Sequence, residues 1–172
     1  MLLRADCDGG PPSVVVRLPN RRVKRPMAAP CQYASARQAI PRLDGAHVVL
    51  VEDDPDALDF LTLVVTQAGA VPAAFSLAGP AFDFIASTTQ SPNVVVSDIA
   101  MPVEDGYSFI RRLRHWEATH ARIPIPAIAV SAFARDEDVR RAISSGFDRH
   151  LAKPVDMARL LHLLASWSSP RH

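Results

Sequence analysis

Five polar residues stand where chemistry is expected: Glu52, Asp53, Asp98, Ser131 and Lys153. Each ends or directly follows a short apolar run. Three carboxylates gathered in one pocket repel each other unless a cation neutralises them. Oxygen ligands with open positions suit Mg2+, which keeps waters and binds through one or two carboxylates plus phosphate oxygens. Lys153 adds a compact positive charge suited to a phosphoryl group. Ser131 adds a hydroxyl donor. Asp98, a single carboxylate after an apolar strand, can act as a nucleophile toward phosphorus. Taken one at a time, each has a plainer reading: a loop acid, a turn residue, a surface lysine. Asp54 reads as a helix N-cap rather than a ligand, because Pro55 follows it directly.

For these groups to meet, the elements between them must alternate. His47–Val51 is a short β-branched run, and Leu58, Leu61, Val65 and Ala68 then recur at helical spacing up to Gly69. Strands are predicted over 71–75, 93–97, 127–131 and 148–152. Helices are predicted over 78–88, 104–116 and 135–145, with a last one striped by Met157, Leu160, Leu161, Leu164 and Trp167. Three consecutive valines in 93–97 suit a strand buried on both faces. Five βα units imply an α/β fold with a parallel sheet and helices on both sides. The best fit is a flavodoxin-like, doubly wound (βα)5 sheet of order 2-1-3-4-5. Sites in such sheets lie at the carboxyl ends of the strands, and strands one, three, four and five are neighbours there.

The chain has 172 residues, 48% hydrophobic and 22% charged, which fits one globular domain plus a tail. No stretch is long and apolar enough for a membrane span, and no secretory signal is visible, so a cytoplasmic place is expected. Residues 1–44 hold eight Lys/Arg against three acids, and six of the 15 prolines. Residues 45–172 hold the other eleven basic residues and fifteen acids. The expected division is therefore a Pro/Arg-rich, mostly extended or disordered leader over 1–44 and a folded domain over 45–169. The Arg21–Arg25 run reads as a solvated basic linker. Cys7 and Cys31 have no partners at metal spacing and read as reduced thiols.

Four motifs in order make the pattern specific. They are Val49-Leu50-Val51-Glu52-Asp53-Asp54, then Val95-Val96-Ser97-Asp98-Ile99-Ala100-Met101-Pro102 with Asp105-Gly106 beyond, then Ala129-Val130-Ser131-Ala132, and Leu151-Ala152-Lys153-Pro154. Residues 46–168 resemble the receiver domain of two-component response regulators. The resemblance implies that Asp98 is the phosphoacceptor and that Glu52 and Asp53 form the acidic pocket. It implies Mg2+ held by Asp53, Asp98 and the main-chain carbonyl of Ala100. It makes Ser131 and Lys153 partners of the phosphoryl oxygens, with Pro154 after a cis peptide bond. His150 takes the switch position, where tyrosine or phenylalanine is commoner, and serine stands at 131 for the commoner threonine. The implied partners are a histidine kinase or histidine phosphotransfer protein and a downstream protein target. Direct nucleic-acid or membrane binding is not expected, and a weak dimer through helix four, strand five and helix five stays open. Ser13–Pro19 resembles the last strand of a histidine-kinase ATP-binding domain, and the opening Leu43–Val48 the hybrid-kinase type of receiver, so the leader is a remnant of a truncated hybrid kinase, the vestigial leader of a stand-alone receiver or an unrelated tail.

Two rival functions come from other classes. An Mg2+-dependent phosphatase with an aspartyl-phosphate intermediate would carry a second Asp two residues after the nucleophile, where Ala100 stands. A phosphorylation-independent interaction module would not need the complete site. The expectation is a phosphoacceptor signalling domain, not an enzyme beyond slow autodephosphorylation.

Overall fold

The computed structural model describes residues 41–132 and 135–168. Readings that fall on residues 1–40, among them both cysteines, the Arg21–Arg25 run and the kinase-like strand, lie outside the described residues. The elements alternate without exception: β1 (His47–Val51), α1 (Pro55–Gln67), β2 (Val71–Phe75), α2 (Ala78–Ser87), β3 (Val94–Asp98), α3 (Gly106–Thr119), β4 (Ala127–Ser131), α4 (Asp136–Ser145), β5 (Arg149–Ala152) and α5 (Met157–Trp167). All pairings are parallel, in the order β2-β1-β3-β4-β5. This is the predicted flavodoxin-like sheet.

Its core has two layers because side chains of a strand alternate between faces. Val49, Val51, Val95, Ala127 and Ala129 face a cluster with Phe109, Ile110 and Leu113 of α3. Val48, Leu50, Val94, Val96, Ile128 and Val130 face Leu61 and Val65 of α1 and Leu160, Leu161 and Leu164 of α5. Every residue of β3 and β4 is buried, as runs without polar alternation require. Leu43, ahead of β1, is fully buried in the second layer and donates its N–H to Ala68 O at 2.7 Å.

Local signals explain most boundaries. Asp54 accepts the Ala57 N–H at 2.9 Å with Pro55 in the first turn of α1, so it is the N-cap as read. Gly146 ends α4 at φ 121, a conformation that glycine adopts without Cβ strain. Several bounds differ from expectation by one to three residues. The third helix begins at Gly106 rather than Glu104, because the Asp105 carboxylate accepts the Ser108 N–H at 2.7 Å and fixes the first turn there. It runs to Thr119, one turn beyond Trp116. The third strand runs Val94–Asp98, one residue later than expected, with Asn93 clamped to the start of β1: its N–H donates to His47 O at 2.9 Å and its side chain accepts the His47 N–H at 2.8 Å.

Arg114 of α3 ties three elements together. Its guanidinium donates to Gly146 O at 2.9 Å, to Ile125 O at 2.8 Å, to Glu117 at 2.8 Å and to Asp148 at 3.0 Å. Glu117, almost wholly buried, also accepts the Ile125 N–H at 2.8 Å. Asp148 accepts the Ala127 N–H at 2.8 Å. Among the described residues no helix is long and apolar enough to cross a membrane.

Candidate functional site

The sheet brings the predicted residues to one end. β1 delivers Glu52 and Asp53, β3 ends on Asp98, β4 ends on Ser131, and β5 leads into Lys153. Register aligns them: Val51 lies beside Ser97, Asp98 beside Val130, and Ser131 beside Ala152. One carboxylate oxygen from each of Glu52, Asp53 and Asp98 falls within 4.8 Å of the others.

Lys153 bridges two of the three acids. Its Nζ lies 2.7 Å from Asp98 Oδ2 and 2.9 Å from Glu52. Glu52 is 2% exposed and Asp98 6%, whereas Asp53 faces solvent. Burial pushes the Glu52 carboxyl above its usual range, more than the Lys153 bond lowers it, and the Asp98 charge adds to the rise. For Lys153 burial works against the ammonium, but the bonds to Asp98 and Glu52 outweigh it and hold the group above the usual lysine range.

The donor set fits a hard divalent cation. Three carboxylates face one ammonium, an excess of negative charge in a half-buried place. All the side-chain donors are oxygens, the ligand type of Mg2+ rather than of soft metals. The ion's place would be among Glu52, Asp53 and Asp98.

The loop after β3 is held by its own backbone. Asp98 Oδ1 accepts the N–H groups of Ile99 and, at 3.1 Å, Ala100. Ser97 Oγ donates to the Asp98 main-chain oxygen at 2.8 Å. Gly106 N–H donates to Ile99 O at 2.9 Å. In the sequence Ser97 and Gly106 stand only as parts of a motif. A serine interrupting a valine run was the signal available for the first. A hollow of about 400 Å3 borders Glu52 and Lys153 and is lined further by Phe60, Leu61, Pro154 and Met157.

The remaining predicted residues are placed but differ in their surroundings. Ser131 is fully buried, at the end of β4. His150 is half-buried on β5, opposite Ala129. The Lys153–Pro154 peptide bond is cis, as the resemblance implied. Trp116 is a packing residue, edge-on to Phe82 at 6.2 Å between centroids.

Comparison with known proteins agrees with this geometry. Residues 48–165 match the response regulator receiver domain family. An uncharacterised 14.6 kDa protein of Leptolyngbya boryana is 35% identical over 130 residues, 76% of this chain and 93% of the relative. Hybrid signal transduction histidine kinase D of Dictyostelium discoideum is 31% identical over 121 residues, 69% of this chain but 8% of the kinase. The Saccharomyces cerevisiae Ssk1 receiver domain, solved with the histidine phosphotransfer protein Ypd1, superposes with a TM-score of 0.68 at 20% identity, over 73% of this chain and 90% of that one. That last likeness is one of fold. With the family matched over most of its length and the acidic pocket assembled at the strand ends, the chain belongs to the response regulator receiver domains, signalling domains of two-component phosphorelay systems.

Proposed function

We propose that this receiver takes a phosphoryl group from a phosphohistidine onto Asp98. The observation that carries the reading is the Lys153 ammonium, bonded at once to Asp98 and Glu52 beside Asp53. An Asp98 carboxylate oxygen supplies the electron pair for the new P–O bond. The P–N bond of the donor breaks, and its pair leaves with the imidazole. Lys153 compensates charge on the transferring oxygens. Asp53 and Asp98, with Glu52 and the Ala100 carbonyl beside them, would hold Mg2+, which when bound offsets phosphoryl charge and orients its oxygens. Ile99 and Ala100 N–H groups keep the carboxylate oriented.

The acyl phosphate then biases a two-state equilibrium. Ser131 accepts the role of phosphoryl partner and His150 that of the responding side chain. The surface of α4, β5 and α5 carries the output to a protein target, and a weak dimer through it belongs to the same proposal. The donor is a cytoplasmic histidine kinase or phosphotransfer protein, the class that the Ypd1–Ssk1 complex exemplifies. The Pro/Arg-rich leader acts as a linker up to the folded domain, to which Leu43 already belongs, and slow autodephosphorylation resets the domain.

Intact-mass analysis after incubation with Mg2+ and acetyl phosphate tests this, with Asp98→Asn in parallel. The expected result is one phosphoryl adduct that needs Mg2+, is labile in alkali and is absent from the variant. No adduct under conditions that label a control receiver would favour a phosphorylation-independent module. Catalytic phosphate release from many substrates would favour the phosphatase.

A further inference from the structure

Ser97 takes no part in the chemistry above, yet its surroundings are unusual for a serine. It follows Val94-Val95-Val96 and is fully buried. A buried hydroxyl is costly unless bonded, and an apolar residue would serve packing alone. Its hydroxyl donates to the main-chain oxygen of Asp98 at 2.8 Å. The same oxygen is walled from another side by Gly106. A Cβ at that glycine would run into the Asp98 carbonyl oxygen and come within 2.8 Å of Ile99 Cα. Both obstacles are backbone, which cannot swing aside as a flexible side chain would. The Gly106 N–H meanwhile grips Ile99 O at 2.9 Å.

The peptide unit that joins Asp98 to Ile99 is thus fixed at both of its polar groups. Its oxygen is bonded by Ser97 and backed by Gly106. Its N–H is shared between Val130 O of β4, at 3.1 Å, and Asp98 Oδ1, at which the Ala100 N–H also points. Rotating this peptide turns the carbonyl and the N–H together. A carboxylate aimed by that N–H turns with it.

We propose that Ser97 is a positioning residue for phosphoryl transfer, acting through the Asp98–Ile99 peptide with Gly106 as its backstop. This rests on Asp98 being the phosphoacceptor. The hydroxyl does not touch the phosphoryl group. It sets the orientation from which the carboxylate attacks, and misplacement of about 1 Å in an attacking group costs on the order of 100-fold. A partial loosening of one peptide is a smaller displacement.

The test measures initial rates of adduct formation by intact mass, on the full chain, across a range of acetyl phosphate at saturating Mg2+. Wild type, Ser97→Ala, Ser97→Thr and Ser97→Cys are compared, each well below its own unfolding midpoint. Ser97→Ala is expected to lower the maximal rate about tenfold while the half-saturating acetyl phosphate stays the same. Ser97→Thr restores the hydroxyl and is expected to return to within about twofold of wild type. Ser97→Cys keeps the volume with a weak donor, so it is expected to fall between them. Amide exchange at Gly106 should quicken in Ser97→Ala, a readout that needs no phosphorylation. A maximal rate for both Ser97→Ala and Ser97→Cys equal to wild type overturns the proposal. So does a Ser97→Thr variant that folds but is as slow as Ser97→Ala, since the residue would then act by volume. Wild type that takes no adduct where a control receiver does would bring down the phosphoacceptor reading and this inference with it, an outcome distinct from an unaffected Ser97→Ala in a labelled wild type.

Discussion

The main-chain N–H of Lys153 donates to the carbonyl of Ser131 at 2.8 Å, while the Lys153 ammonium reaches Asp98 at 2.7 Å. The residue that carries the hydroxyl and the residue that carries the positive charge therefore share one backbone joint. Displacing either strand end alters both.

Removing the lysine leaves two buried carboxylates facing each other. Lys153→Ala is expected to cost roughly 2–3 kcal/mol in urea unfolding at neutral pH, at or just below the usual range for breaking a buried pair because the lysine is about a third exposed. Adduct formation should slow by about 100-fold or more. Lys153→Arg should recover more of the stability than of the rate, since a planar fork does not replace a compact ammonium.

Mg2+ should stabilise the folded chain. At a concentration about 100 times its Kd the gain is about 2.7 kcal/mol, read as a rise in the thermal midpoint that a chelator reverses. Asp53→Asn tests the ligand set. Asp53 is exposed, so its loss should change metal-free stability by no more than about 0.5 kcal/mol. The Mg2+-induced rise should shrink markedly. An undiminished rise in that variant would place the cation elsewhere.

Arg114 offers a contrast, because it is remote from the pocket. Arg114→Ala strands the buried Glu117 carboxylate and removes a donor from Gly146 O and Ile125 O. A loss of about 3 kcal/mol is expected in chemical unfolding. Adding Glu117→Gln to it should recover part of that loss, because a neutral amide is cheaper to bury than an unpaired charge.

The cap of α3 should titrate. Burial raises the Asp105 carboxyl, but the Ser108 N–H bond and the charges of Arg111 and Arg141 lower it further, leaving it below its ordinary value of 3.8. A depressed acid stabilises the fold above its unfolded value and loses that contribution as pH falls through the folded one. Asp105→Asn keeps the cap without the charge. Wild type should therefore exceed it in stability at pH near 6, and the difference should shrink as pH falls below 3.8 and vanish only below the lower folded-state value. Asp105→Ala should cost about 1 kcal/mol at neutral pH.

What the chain disclosed before its fold was known depended on the range of each signal. The Asp54–Pro55 cap, the glycine after α4 and the doubly buried β3 are local, and local pattern found them. Convergence of Glu52, Asp98 and Lys153 followed from strand order alone, because parallel strands end on the same side. The start of α3 was misplaced because Glu104 reads as a helix former, while the Asp105–Ser108 bond that fixes the start belongs to geometry. Arg114 and Glu117 look like an ordinary surface pair three residues apart. Only the loop that brings Ile125 over them makes the pair a buried one. The Ser97 bond to its neighbour's carbonyl was hidden for a similar reason, since a strand serine has no preferred partner in sequence.

The two outer strands have a consequence for how copies of this domain can meet. In a parallel ladder alternate residues turn their N–H outward. Val71 donates inward to Ala46 O, so the outward positions of β2 are Pro72 and Ala74, and proline has no N–H to offer. β5 at the other margin is four residues long and carries the exposed Arg149. Neither margin is a template on which a further strand could zip. Recognition of a neighbour is thereby left to side chains, whose identity evolution can exchange residue by residue, and a crowded signalling pathway is spared the indiscriminate stickiness of bare backbone.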